Sequence, residues 1–463
     1  MKIKNFISYC VIAAATFGLA ACSDTDAQYT IPQVDAPVLV GSDPAEGSVV
    51  DDGDRVITLK FDKNIGFASA NYDKITLTGG GQVTKAIVYG TSKTLTISTT
   101  GTPKGAQCTL TIPAGLIYGP NKVTAPEITL NYSTKAPVPI DANPMMATSA
   151  KAVALYNYLK DNYGNGIISG MMASVAWNND ASEQVYQWTG KYPAINGYDY
   201  IHMPASVAGA NWINYNDITP VKTWADNGGI VTIGWHWLVP RKAVEANAYS
   251  SLDPNTDYTY VPSETEFDLK NATVEGTWEK AFVDYDLANL AAYLKLLKDA
   301  DIPVLWRPLH EAAGGWFWWG TDAEACKALW KYMFNYLKDQ GFDNLIWVWT
   351  SQTGDDNWYP GDAYVDIVGR DLYGDNATSC ADNYTTLSNK YSNKIVTLSE
   401  CGWSEYTNSR VANISEQWGA GAKWSWFMPW YDGSEAVNKH ADEAWWKAAM
   451  ELDYVITRDK VNF

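Results

Sequence analysis

The sequence predicts two domains of different class. A (β/α)8 barrel of the TIM type spans residues 149–463, and a small all-β sandwich precedes it over residues 35–132. Three observations predict this. All 22 tryptophans lie at or after Trp177, so two kinds of core are joined in one chain. Before that point, short Thr-, Val- and Ile-rich runs alternate with Gly- and Pro-marked turns, as antiparallel strands do. After it, eight apolar strand-like runs are separated by helix-forming segments. Near-continuous apolar strands are buried on both faces, which a parallel sheet requires.

The elements follow in order. Lys2 and Lys4 precede an apolar run from Val11 to Ala21, too short for a permanent membrane span. It ends in Leu19-Ala20-Ala21-Cys22, which resembles a bacterial lipobox with Cys22 as the lipidated residue. Ser23-Asp24-Thr25-Asp26 resembles the acidic export signal of Bacteroidetes surface lipoproteins. Residues 1–22 are therefore expected to be a lipoprotein signal peptide. The mature chain is expected on the outer face of the outer membrane, touching it only through the lipid.

The sandwich strands are expected at Val56–Phe61, Lys74–Gly79, Lys85–Gly90, Thr94–Thr99, Thr109–Pro113 and Glu127–Tyr132. The segment Ser42-Asp43-Pro44-Ala45-Glu46-Gly47 resembles bacterial Ig-like domains. The domain has no tryptophan to stack on sugar, which favours a spacer over a carbohydrate-binding module. Residues 133–148 read as a proline-stiffened linker.

The barrel strands are expected at Ile167–Gly170, Ala194–Asp199, Ile230–His236, Ile302–Glu311, Leu345–Thr350, Asp366–Tyr373, Lys394–Glu400 and Lys423–Trp430. Helices are expected at Ala150–Asp161, Ser182–Thr189, Lys280–Asp299, Ala323–Gln340 and Glu435–Leu452. The stretch from Leu238 to Thr277 is too long for a bare connector and is expected to shape a cleft.

The formal net charge of −18 excludes a nucleic-acid footprint and disfavours anionic lipid, leaving a neutral partner such as polysaccharide. Cys108, Cys326, Cys380 and Cys401 show no metal-ligand spacing, so no metal is expected. Cys380 and Cys401 are placed either to pair or to stand as independent buried thiols.

The chemistry concentrates in Trp306-Arg307-Pro308-Leu309-His310-Glu311, followed by Ala-Ala-Gly-Gly-Trp-Phe-Trp-Trp-Gly through Gly320. A carboxylate at a strand end sits beside flat rings on which sugars stack. A second strand ends in Ser399-Glu400. Two such carboxylates on facing strands fit retaining glycoside hydrolysis, which needs them roughly 5–5.5 Å apart. The acid must keep its proton near neutrality, and the second carboxylate must stay ionised, helped by Arg307 or Tyr373.

The motif around Glu311 resembles glycoside hydrolase family 26, best known for β-mannanases. The likeness extends to Gly234-Trp235-His236, Asp371-Leu372-Tyr373, Ser399-Glu400 and Trp424-Ser425-Trp426-Phe427. The resemblance implies that Glu311 is the acid/base and Glu400 the nucleophile of an enzyme without cofactor. It implies that His310 positions the sugar near the cleaved bond, His236 contacts sugar, and Trp316 stacks on it. Tyr373 would adjust the nucleophile, and Trp426 or Trp430 would line the floor. Trp358, in the Gly354–Gly361 loop, is a further cleft candidate. Trp318 and Trp319 could brace the loop, at least one of Trp347 and Trp349 is expected in the core, and Trp445 and Trp446 are expected to pack. The implied activity is endo-hydrolysis of β-1,4-mannan, galactomannan or glucomannan by a monomer. A β-1,3-xylanase, a mixed-linkage β-glucanase and a non-catalytic glycan-binding protein stay open.

Overall fold

A computed structural model describes residues 32–174, 177–432 and 439–463. The signal-peptide reading and Cys22 lie outside these residues. The chain divides into two compact units at Pro137 and Val138.

The first unit has two sheets. One runs in the order Leu39–Asp43, Gly53–Phe67, Ser92–Thr102, Gln82–Ile87, with Ile117–Tyr118 also on Gly53–Phe67. The other runs Val49–Val50, Ile128–Thr134, Gln107–Ile112, Thr76–Leu77. Ile57, Leu59, Leu95 and Ile97 from the first meet Leu110, Ile112 and Leu130 from the second, so alternation on both sheets builds one shared core.

The second unit is a closed barrel. Its eight strands are β1 (Ile167–Met172), β2 (Ile195–Asp199), β3 (Ile230–Trp235), β4 (Val304–Pro308), β5 (Leu345–Ser351), β6 (Ile367–Tyr373), β7 (Ile395–Ser404) and β8 (Trp426–Pro429). Each pairs in parallel with the next, and β8 pairs with β1 to close the ring.

Among the described residues, the α-helices of seven residues or more are α1 (Ala150–Asn162), α2 (Asp180–Thr189), α3 (Thr219–Asp226), α4 (Trp278–Asp299), α5 (Ala323–Asp339), α6 (Ala377–Lys390), α7 (Ile414–Ala420) and α8 (Glu443–Met450). The β5–β6 connection holds only a 3-10 turn at Asp362–Tyr364. α1 precedes β1, and its Leu155, Tyr156 and Leu159 share one cluster with Ile168, Ile195, Leu305, Ile346, Ile367 and Ile395 of the strands. The expected helix Glu435–Leu452 begins in residues outside those described; among the described residues α8 starts at Glu443, where the Asp442 side chain caps it by accepting from Trp445 N. The expected linker is largely structured. Thr134 ends a strand, and from Asp141 onward the backbone bonds the barrel, Thr148 N and Ser149 N both donating to Asp343 O.

Two departures from regular strands matter for the site. β4 ends at Pro308, not Glu311, and the chain then turns through positive φ at Leu309 (48°) and Glu311 (52°). β7 carries a bulge: Arg370 of β6 pairs with Leu398, but Asp371 pairs with Glu400, leaving Ser399 extra.

Candidate active site

Alternation along β7 points Thr397 one way and Leu398 the other, and Leu398 packs in the cluster that faces the helices. Strict alternation would aim Ser399 into the lumen and Glu400 away from it. The extra residue changes this, so that Ser399 and Glu400 both face inward and Cys401 again faces the helices. Ser399 Oγ donates to Asp371 Oδ1 at 2.9 Å. Gly369 leaves room for it, since a Cβ there would lie 2.2 Å from Ser399 Oγ.

Arg307, on β4, organises the carboxylates. Its Nη1 donates to Glu400 Oε1 at 2.5 Å, its Nη2 donates to Asp371 Oδ2, and its Nε donates to Thr350 Oγ1 at 2.8 Å. The Tyr373 hydroxyl donates to Glu400 Oε2 at 2.7 Å. Both oxygens of Glu400 are thus held by donors.

Glu311 reaches the same place from the turn after β4. Oxygens of Glu311, Asp371 and Glu400 lie within 4.8 Å of one another. Burial and the Glu400 charge push the Glu311 carboxyl above the usual range. Burial pushes Asp371 up to about 7, against the pull of Arg307. Burial and Asp371 also raise Glu400, opposed by Arg307 and Tyr373. Three acid oxygens this close suit a hard cation, but Arg307 already fills lone pairs on two of them with built-in positive charge.

A pair of imidazoles adjoins the acids. His236 follows β3, and its Nδ1 pairs with Asp199 Oδ2 at the end of β2. Its Nε2 lies 3.1 Å from His310 Nε2. Burial lowers the His236 pKa, but Asp199 outweighs it and the net shift is upward. Burial and the neighbouring His236 drive His310 well down. These opposite shifts favour a proton on His236 over His310, and the tautomers set which ring donates across their contact.

The rings sort into two groups. Trp316 is 49% exposed and donates from Nε1 to Glu311 Oε2 at 3.0 Å. Gly314 permits this pose, because a Cβ there would lie 2.2 Å from the Trp316 ring. Trp318 and Trp319 are buried braces: Trp319 Nε1 donates to His310 O, and Trp318 Nε1 to Trp237 O. Trp430 sits 5.8 Å from the His236 ring, at the mouth.

Several expectations need correction or placement. Trp426 does not line the cleft; it is 1% exposed in the cluster that fills the barrel and contacts α1. It sits at the first residue of β8, too deep for substrate. Trp358 is half-buried against the helix-side core. Trp347, Trp349, Trp445 and Trp446 are all buried. Cys380 and Cys401 are free buried thiols. Asp199 and Asp371 were given no role by the sequence reading. Both end or nearly end strands, the same signal that marked the glutamates.

The fold and sequence can be set beside known proteins. Residues 140–460 match glycosyl hydrolase family 26, and residues 33–134 match a bacterial Ig-like domain. Mannan endo-1,4-beta-mannosidase A of Piromyces sp is 32% identical over 316 residues, covering 66% of this chain and 48% of that protein. A mannan endo-1,4-beta-mannosidase of Thermothelomyces thermophilus is 32% identical over 329 residues, covering 68% of this chain and 62% of that protein. The chain spans about half the length of the Piromyces relatives it matches. Among solved structures, the family 26 domain of an endo-beta-mannanase/endo-beta-glucanase from Prevotella bryantii is 44% identical. It superposes with a TM-score of 0.64 over 70% of this chain and 100% of that one. A beta-mannanase from a symbiotic protist of the termite Reticulitermes speratus, complexed with gluco-manno-oligosaccharide, is 35% identical with a TM-score of 0.57. That match covers 70% of this chain and 98% of that one.

Proposed function

The chain belongs to glycosyl hydrolase family 26, and from that premise we propose that it hydrolyses internal β-1,4-mannosidic bonds with retention at the anomeric carbon. The observation that carries this reading is the meeting of Glu311 and Glu400 oxygens within 4.8 Å at one barrel mouth, in contrasting surroundings. Glu311 is raised and partly open to solvent, suited to protonate the leaving oxygen and then deprotonate water. Glu400 is buried with both oxygens oriented by Arg307 and Tyr373, suited to attack the anomeric carbon. One group supplies the proton and the other the electron pair, so a glycosyl-enzyme forms and water then releases it.

In this reading His310 lies beside the reacting sugar, oriented by His236, and Trp316 offers a stacking face next to the acid. The mannan-cleaving relatives support β-mannan as substrate. No cofactor enters the scheme, and the enzyme acts as a monomer. The tetrapeptide ending in Cys22 supports export as a surface lipoprotein. Membrane fractionation of wild type and Cys22→Ala tests that part: the variant should leave the membrane fraction.

The activity is tested with galactomannan, glucomannan, unbranched mannan, β-1,3-xylan and lichenan. Mixed-length manno-oligosaccharides with an initial β-anomer by NMR are expected. Glu311→Ala and Glu400→Ala should each abolish hydrolysis and keep the folded circular dichroism spectrum. An initial α-anomer, or near wild-type turnover in either variant, would refute the assignment.

A further inference from the structure

Helix α4 buries an apolar stripe, and one carboxyl stands in it. Asp286 is 4% exposed beside Phe282, Val283, Leu287 and Leu290. Burying an unpaired carboxylate is costly, so deep acids are normally met by a cation. Glu400 has Arg307, Asp199 has His236 and Asp355 has Lys390. Among the described residues Asp286 belongs to no ion pair; a neutral donor, Trp237 Nε1, bonds it at 2.8 Å. Burial accordingly pushes its carboxyl up to about 8. The reaction at Glu311 and Glu400 makes no use of it.

A cavity of about 40 Å³ lies against this acid. Its wall includes Tyr249, Tyr258 and Tyr285, from the 3-10 turn Ala246–Ser251, the strand Tyr258–Thr259 and α4. Pro204 and Val207 of the short helix Met203–Val207 adjoin them, and exposed Val207 marks the mouth. The Tyr249 and Tyr285 rings lie 5.1 Å apart. The Tyr249 hydroxyl is fixed by donating to Trp278 O at 3.2 Å. Such a volume holds a small ion with a water or two. The charges that bear on Tyr249 and Tyr258 are negative: Asp286, Glu245, Asp257 and Glu279. On α4, Lys280 is already matched by Asp284 at 2.6 Å and Glu275 at 3.2 Å. A carboxylate among aromatic rings, in a negative field, is a setting that attracts a cation.

We propose that Asp286, Tyr249, Tyr258 and Tyr285 form a binding site for a small monovalent cation, ammonium or potassium, that neutralises the carboxylate inside the fold. One acid supplies one negative charge, which matches a single positive charge; calcium would want roughly six to eight oxygen ligands. The tyrosines attract the ion through their π faces or their hydroxyl oxygens. Cation and proton compete for the same carboxylate, so binding strengthens as pH rises. An ionised Asp286 is also the stronger acceptor for Trp237, which follows His236 and whose carbonyl accepts from Trp318 Nε1. The inference does not depend on which sugar is cleaved.

Thermal unfolding of the full chain, followed by tryptophan fluorescence, tests the site, because all 22 tryptophans lie in the barrel unit. Ammonium chloride and potassium chloride are compared with tetraethylammonium chloride at equal ionic strength, the last cation being too large for the cavity. At about pH 8.5 the wild-type midpoint should be roughly 2–4 °C higher in ammonium or potassium. The gain should vanish at about pH 5.5, where the proton holds the acid. Asp286→Asn keeps an acceptor for Trp237 and should show no gain at either pH. Tyr285→Leu keeps the acid and removes one ring, and should need roughly three- to tenfold more cation for half the shift. That variant also judges the site if Asp286→Asn does not fold. No gain over tetraethylammonium at the higher pH, an equal gain in Asp286→Asn, or an unchanged half-shift concentration in Tyr285→Leu overturns the proposal.

Discussion

Asp371 shows how one side chain sets the working state of its neighbours. It is buried, paired with Arg307 and bonded to Ser399, and its carboxylate lies within 4.8 Å of an oxygen of Glu311. Its carboxyl is raised to about 7, and Glu311 is raised by burial and by Glu400. As pH rises and Glu311 loses its proton, the acid can no longer protonate the leaving oxygen, and kcat/KM falls. The basic limb of the profile should therefore lie above the ordinary carboxylate range. Asp371→Asn removes one negative charge and leaves an amide that favours ionised Glu311, so the limb should move to lower pH. A limb unmoved by the substitution would deny Asp371 this role. A second buried acid bears on stability. Burial raises Asp286 to about 8 from an ordinary 3.8, and Trp237 Nε1 donates to it at 2.8 Å. Between those values the folded chain holds a proton that the unfolded chain has lost. Stability thus falls as pH rises across the window and levels off above about 8. Asp286→Asn keeps an acceptor for Trp237 and removes the titration. Urea unfolding from pH 5 to 9 should show wild type losing up to about 1.4 kcal/mol per pH unit relative to the variant. Parallel curves would contradict this.

At the scale of elements, the site is made by two irregularities on regular strands. The bulge in β7 turns Glu400 inward, and the left-handed residues Leu309 and Glu311 fold the chain back after Pro308. A non-glycine residue at positive φ costs roughly 1 kcal/mol, so this turn is held by its surroundings. Gly320 is part of that support, since a Cβ there would lie 2.4 Å from Ala312 O. Gly369 supports the bulge in the same way. Gly369→Ala should push Ser399 out of place, cost about 1–3 kcal/mol of stability and lower kcat roughly ten- to hundredfold, as measured by thermal melts and steady-state rates on mannan. Wild-type kcat in a folded variant would show that Glu400 does not depend on this contact. These irregularities also mark where sequence reading stopped. Apolar runs located all eight strands, because burial on both faces leaves a strong composition signal. The motif around Glu311 pointed to the acid. Nothing in Thr397-Leu398-Ser399-Glu400 announces a bulge, because its cause is the fit against β6, a non-local fact. The choice between Trp426 and Trp430 was hidden for a related reason: an aromatic near the end of an apolar run gives no sign of its depth in the barrel. The missing β5–β6 helix was equally hidden, since Asp362–Tyr364 lies in a polar stretch of unremarkable length.

For the whole molecule, the question is how far the two units depend on each other. The sandwich closes its own core with Ile57, Leu59, Phe61, Leu95, Ile97, Leu110 and Leu130. The barrel plugs one end with α1, and the segment from Asp141 to Ser149 bonds to Asn393, Asp366 and Asp343. Every residue given a role in catalysis or sugar binding lies between Asp199 and Trp430, within the barrel unit. Catalysis is thus expected to need only that unit. A chain beginning at Val138 should melt cooperatively and cleave soluble mannan with kcat/KM within about twofold of full length. Residues 32–137 alone should show a separate transition and no retardation in mannan gels, because the domain has no tryptophan to stack on sugar. If removing the sandwich lowers kcat/KM on soluble mannan by tenfold or more while the barrel stays folded, the spacer reading fails and the sandwich takes part in the reaction.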